Sequence, residues 1–133
     1  MTSIRKITTP AVPEPPDGIY SNCLVVGDQI FLAGITARGA DGAPIGGADM
    51  YAQSKAVLEK IRHLVEAAGG AVADIVKITV YVTDISRRAA FGRARAEFFG
   101  EPRPCSTMVE VKSLVTPDLL VEVDAVAIRG ASR

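Results

Sequence analysis

The stretch that most constrains how this chain can fold is Leu119-Leu120-Val121-Glu122-Val123-Asp124-Ala125-Val126-Ala127, where two carboxylates stand inside an apolar run. Side chains alternate between the faces of a strand, so Val121, Val123, Ala125 and Ala127 share one face and Glu122 and Asp124 the other. The first face belongs to a core. The second also carries Leu120 and Val126, which makes it too apolar for a simply wetted surface, so it lines either a pocket or a contact between subunits.

The same periodicities order the rest of the chain. Asn22 to Val26 and Gln29 to Gly34 read as a hairpin closed by Gly27-Asp28. The 38–47 segment, rich in glycine, reads as a surface loop. Val57, Ile61, Leu64 and Ala68 repeat at helical spacing behind Asp49 as N-cap, with Gly69-Gly70 ending the helix. Ala73 to Thr83 is a β-branched strand, and Ile85 to Phe99 a second helix with Phe91, Ala94 and Phe98 as its apolar stripe. Ser106 to Lys112 and Leu119 to Arg129 complete a ββαβαββ order, read as an α+β sheet with both helices on one face and hairpins at each end. The opposite sheet face then needs cover, which other copies of the chain would supply in a closed ring.

With 133 residues the chain suits one domain, residues 1–133. Fifteen basic residues balance fifteen acidic ones, so no overall field draws it to nucleic acid or to an anionic membrane. No apolar run approaches the roughly 20 residues that cross a bilayer. Met1 to Lys6 lacks the apolar segment of a secretory leader, which points to the cytoplasm. Cys23 and Cys105 are far apart and, with His63 the single histidine, offer no metal-ligand or redox spacing; neither a metal nor an organic cofactor is implied.

Several residues are candidates for a site. Tyr20 follows Pro10, Pro13, Pro15, Pro16 and Gly18, a stiff approach that would hold its hydroxyl at a cleft mouth. Glu122 is a candidate base or hydrogen-bond acceptor; its plainer reading is an ion pair with Lys112 across the terminal hairpin. Ser106 and Thr107 supply hydroxyls beside Cys105, but no partner base or field is placed to make a nucleophile of them. The arginines of the second helix, Arg87, Arg88, Arg93 and Arg95, read as a solvated face rather than an anion site.

Taken together, the ββαβαββ order, Gly18-Ile19-Tyr20-Ser21, Asp74 to Asp84, Phe98-Phe99-Gly100 and Val121 to Ala127 resemble the RidA (YjgF) family across nearly the whole chain. The resemblance implies a chorismate-mutase-like fold, a homotrimer around a central sheet barrel, and small-molecule clefts between subunits. It also implies cofactor-independent hydrolysis of enamines and imines to 2-keto acids and ammonia. Tyr20 and Glu122 match family site residues. The family's carboxylate-anchoring arginine does not persist: Pro104-Cys105-Ser106-Thr107 places Ser106 there, and a hydroxyl cannot reproduce a bidentate guanidinium clamp. Ala33-Gly34-Ile35 and Gly92 also depart from the family pattern toward a less polar pocket. Arg103, three positions before Ser106, is the nearest substitute anchor in sequence. Two functions follow: a hydrolytic deaminase in a branch without the arginine, or a trimer that binds a ligand and has lost the chemistry. A ribonuclease reading, sometimes attached to the family, fits poorly with zero net charge and one histidine.

Overall fold

A computed structural model describes residues 3–133; the first two positions of the 1–133 domain, and of the segment read for a leader, lie outside the described residues. Six strands form one mixed sheet with two helices. In chain order these are β1 (Ile4–Lys6), β2 (Cys23–Val26), β3 (Gln29–Thr36), α1 (Met50–Ala67), β4 (Ile75–Val82), α2 (Arg88–Phe98), β5 (Cys105–Glu110) and β6 (Val121–Ile128). Across the sheet they run β1-β2-β3-β6-β4-β5.

The β2–β3 hairpin turns through Gly27, whose φ of 61° suits a residue without Cβ. In α1, Asp49 caps the first turn by accepting from the Ala52 N–H at 2.8 Å. Val57, Ile61 and Leu64 then face the sheet with no exposed surface. The helix ends before Gly69, at φ 88°. A short 3₁₀ turn, Ile85–Arg87, opens into α2, whose Phe91 and Ala94 join the same core. Under the helices lie Ile78, Val80 and Val82 of β4 and Val121, Val123, Ala125 and Ala127 of β6, all buried.

The sheet order corrects one expectation. β5 and β6 do not form a terminal hairpin: β5 runs parallel to β4 at the sheet edge, and β6 inserts antiparallel between β3 and β4. A helix-containing crossover, here α2, is what joins parallel neighbours, and β6 with its wholly apolar inner face takes the central position. Glu122 therefore stands opposite Thr36 and Tyr81 rather than near Lys112, and the ion pair across a hairpin does not form. β1 is an additional strand; its three residues are all exposed, so no alternation announced it.

The face away from the helices is open. Leu24 pairs with Phe31 and Phe31 with Val126, an apolar row interrupted at Lys77 on β4 before Cys105 on β5. Phe31 and Val109 remain 39% and 41% exposed on this side.

Candidate functional site

A cleft of about 440 Å³ opens at the end of the sheet where β2 begins and β3 ends. The proline-rich approach forms one wall, tied down by the buried Asn22, whose amide donates to the Pro13 carbonyl at 2.9 Å. Gly18, at φ 80°, turns the chain so that Tyr20 stands on this wall, 55% exposed. Gly34 and Thr36 of β3 form the floor, and the loop beginning at Arg38 forms the far wall.

Glu122 meets that floor at Gly34 without itself lining the cleft. Its backbone pairs with Thr36, and the β3–β6 ladder slips between Leu32 and Ile35, leaving Gly34 under the Glu122 side chain. A Cβ built on Gly34 would lie 2.5 Å from Glu122 Oε2. Partial burial, and then the Asp124 charge two residues along the same face, raise the Glu122 carboxyl above its usual range. Asp124 in turn accepts from Tyr81 Oη at 2.9 Å. That bond, with burial and the two nearby carboxylates, pushes the Tyr81 phenol up. The pair of acids predicted from alternation thus shares the open face, Asp124 bonded to Tyr81 and Glu122 lying over Gly34.

The remaining predicted residues lie elsewhere. Ser106, Thr107 and Cys105 are exposed on the edge strand β5, opposite Ile78, Thr79 and Lys77. Three strand spacings, about 14 Å, separate β5 from β3. Thr107 shares a cross-strand row with Thr79 and Asp124. Cys105 is a free thiol and lines a second groove of about 460 Å³ together with Arg103. Arg103 donates to Glu101 at 3.1 Å and to the Ala96 and Phe99 carbonyls at 3.3 and 3.1 Å, so its guanidinium closes the end of α2. Ser106 Oγ accepts from Arg95 Nη1 at 3.1 Å. One protomer therefore brings Tyr20 and Glu122 to one end of the sheet and leaves the β5 residues on another edge.

Two buried polar residues of α1 escaped the sequence reading. Lys60, 8% exposed, lines the cleft and donates from Nζ to the Thr36 and Arg38 carbonyls at 2.8 and 2.6 Å. Burial lowers its pKa. Gln53, with no exposed surface, donates to the Gly47 and Asp118 carbonyls and accepts from Leu120 N. Both sit at helical spacing from Val57, four residues before and three after it, and a polar residue on an apolar stripe was the signal available. No group of three histidine, cysteine or acidic side chains among the described residues is placed to hold a metal ion. No helix among them is long and apolar enough to cross a membrane.

Comparison with known proteins places this geometry in a family. Residues 12–129 match the family described as endoribonuclease L-PSP. The 3-aminoacrylate deaminase RutC of Acinetobacter baylyi is 30% identical over 123 residues, 92% of this chain and 97% of that protein. Among solved structures, a Pseudomonas aeruginosa protein of unknown function is 45% identical with a TM-score of 0.87, covering 98% of this chain and 95% of that one. The Escherichia coli protein TdcF, solved with bound serine, is 30% identical with a TM-score of 0.85, covering 95% of this chain and 99% of that one. The sheet order, the two helices on one face and the match over 12–129 agree: the chain belongs to the endoribonuclease L-PSP family, the family of RidA, YjgF and RutC.

Proposed function

We propose that this chain is a RidA-like small-molecule protein that hydrolyses an enamine or imine without a cofactor, using Glu122 as the base. The observation that carries this reading is the Glu122 carboxylate, held over Gly34 beside a cleft and raised by burial toward a working range. In the proposed step a water adds to the imine carbon as Glu122 takes its proton. The C–N bond then breaks, the nitrogen leaves as ammonia after protonation, and a carbonyl product remains. Tyr20 orients the ligand at the cleft mouth.

The reading includes a cytoplasmic homotrimer, one domain per chain. The apolar row through Leu24, Phe31 and Val126 would be covered by neighbouring copies, and their β5 residues Ser106, Thr107 and Cys105 would approach the cleft. Light scattering should give three chain masses; a single chain mass would remove this part.

A second reading is a binding protein that has lost the chemistry, favoured by Ser106 standing in place of an arginine and by Arg103 being committed to Glu101 and the end of α2. RNA cleavage, the activity in the family's name, finds little support in zero net charge and a single, exposed His63. Freshly generated 2-iminopropionate separates the first two readings. Loss faster than the spontaneous rate supports the deaminase, and loss at the spontaneous rate for this and for neutral imines leaves the binding protein.

A further inference from the structure

We infer that Tyr81 and Asp124 are positioning residues for Glu122: the Tyr81 hydroxyl fixes the Asp124 carboxylate on the open face of β6, and Asp124 sets a negative charge beside the base. The inference rests on the role proposed above for Glu122 and adds what governs that carboxylate as a proton acceptor.

The three side chains form one patch across two strands. Tyr81 of β4 stands directly opposite Glu122, and Thr79 opposite Asp124. Side chains directly opposed lie about 5 Å apart at Cβ and diagonal ones about 7–8 Å, within reach of an aromatic ring. Tyr81 takes the diagonal: its Oη donates to Asp124 Oδ2 at 2.9 Å. The ring therefore spans from one acid to the other. On the opposite side of Glu122, β3 offers Gly34, so the carboxylate lies between a backbone without Cβ and a tyrosine anchored at its far end.

Charge on this face is sparse. None of the ion pairs among the described residues includes Glu122 or Asp124. The other charged or titratable groups there are Lys77 of β4 and Cys105 of β5, both in the row of Val126, and Lys6 of β1, which pairs with Glu14 at 3.6 Å. Arg38 lies beyond the end of β3, on the cleft wall. β2 and β3 contribute no charged side chain. Asp124 is the charge that Glu122 feels: after burial it is the second cause raising the Glu122 carboxyl. The division of labour follows. Asp124 commits an oxygen to Tyr81, and Glu122, over Gly34, is the acid left to take the proton of the attacking water.

The test is a titration of the Glu122 carboxyl by carbon NMR on the assembled full-length protein, its signal assigned by its loss in Glu122→Gln. Asp124→Asn keeps an acceptor for Tyr81 and removes the charge, so the Glu122 midpoint should fall toward the ordinary 4.5 without reaching it, because burial remains. Tyr81→Phe keeps the ring and lets Asp124 turn toward water, where its charge is screened, so the midpoint should fall by part of that amount. In both variants the acid limb of kcat/KM against pH should move down with the midpoint, a change that a merely structural role would not produce. A midpoint unmoved in Asp124→Asn would overturn the inference, and one unmoved in Tyr81→Phe would remove Tyr81 from it. Tyr81→Phe deletes a single hydroxyl and carries the test if Asp124→Asn does not assemble. Shifted midpoints with no hydrolysis of 2-iminopropionate would keep the pairing and discard the deaminase. Hydrolysis abolished in Glu122→Gln, with midpoints unmoved in the other two variants, would keep the base and discard the pairing.

Discussion

The carboxylate of Glu122 occupies the space that a side chain at position 34 would fill: a Cβ on Gly34 would come within 2.5 Å of Glu122 Oε2 and 2.7 Å of its Cδ. Gly34 has an ordinary backbone conformation, so its role is room rather than a left-handed φ. The slip of the β3–β6 ladder beside it and the absent Cβ together let an acid lie flat on a sheet at the edge of a cleft.

Gly34→Ala should therefore move the carboxylate and leave the fold. The clash falls on the far end of a flexible side chain, so the unfolding free energy should change by no more than about 1 kcal/mol. A displacement of about 1 Å at a reacting group can cost on the order of 10²-fold in rate, and turnover should fall by about that factor. Urea melts and steady-state rates on the same preparation check both halves.

Gln53→Leu should be strongly destabilising despite its apolar surroundings. The change removes three hydrogen bonds and orphans the Leu120 N–H and the Gly47 and Asp118 carbonyls. Gly47 and Asp118 are exposed, so water can take up their carbonyls; the Leu120 N–H carries most of the penalty, and a loss of about 1–3 kcal/mol is expected in chemical denaturation.

Acid should unfold the chain partly through Asp74. Burial by itself would raise this carboxyl. Bonds from Ser132 Oγ and N, Gly130 N and Ala71 N outweigh burial and hold it at about 2, below the ordinary 3.8. The unfolded chain then takes up the proton first, so this stabilisation is complete above pH 3.8 and is lost as pH falls toward about 2. Asp74→Asn should lower stability at neutral pH by about 1.5–3 kcal/mol and flatten that acid limb in melts recorded between those values.

Glu122 works in the opposite sense. Its folded pKa lies above the ordinary 4.5, through burial first and the Asp124 charge second. The folded chain therefore holds the proton longer, and its contribution is favourable below pH 4.5 and lost as pH rises through the folded value. Glu122→Gln should raise the melting temperature at pH 7 relative to the wild type, with the difference vanishing below pH 4.5. A lower melting temperature for the variant at pH 7 would contradict this assignment.

Local pattern carried much of the architecture. Alternation in Val121–Ile128 identified the buried and the acidic faces, and the apolar spacing of Val57, Ile61 and Leu64 with Asp49 ahead of them located α1. Strand neighbours were a different matter. Nothing within Cys105–Glu110 announces that it pairs with β4 rather than β6, because pairing depends on the path of α2 and on the 111–120 connection. The placement of Tyr20 on the cleft wall and of Glu122 on the open face was legible from a stiff approach and a polar residue within a strand. Lys60 was hidden, since a lysine on a helix is ordinarily solvated and only the loop above it reveals burial. Arg95 read as one of four surface arginines until its bond to Ser106 set it apart.

The most direct test of the account is the rate of 2-iminopropionate hydrolysis by Glu122→Gln beside the wild type, each corrected for spontaneous loss and each with its assembled mass verified. A wild-type rate above background, reduced about 10²–10⁴-fold in the variant with the assembly unchanged, is the predicted result. Equal acceleration by both proteins would contradict the role assigned to Glu122.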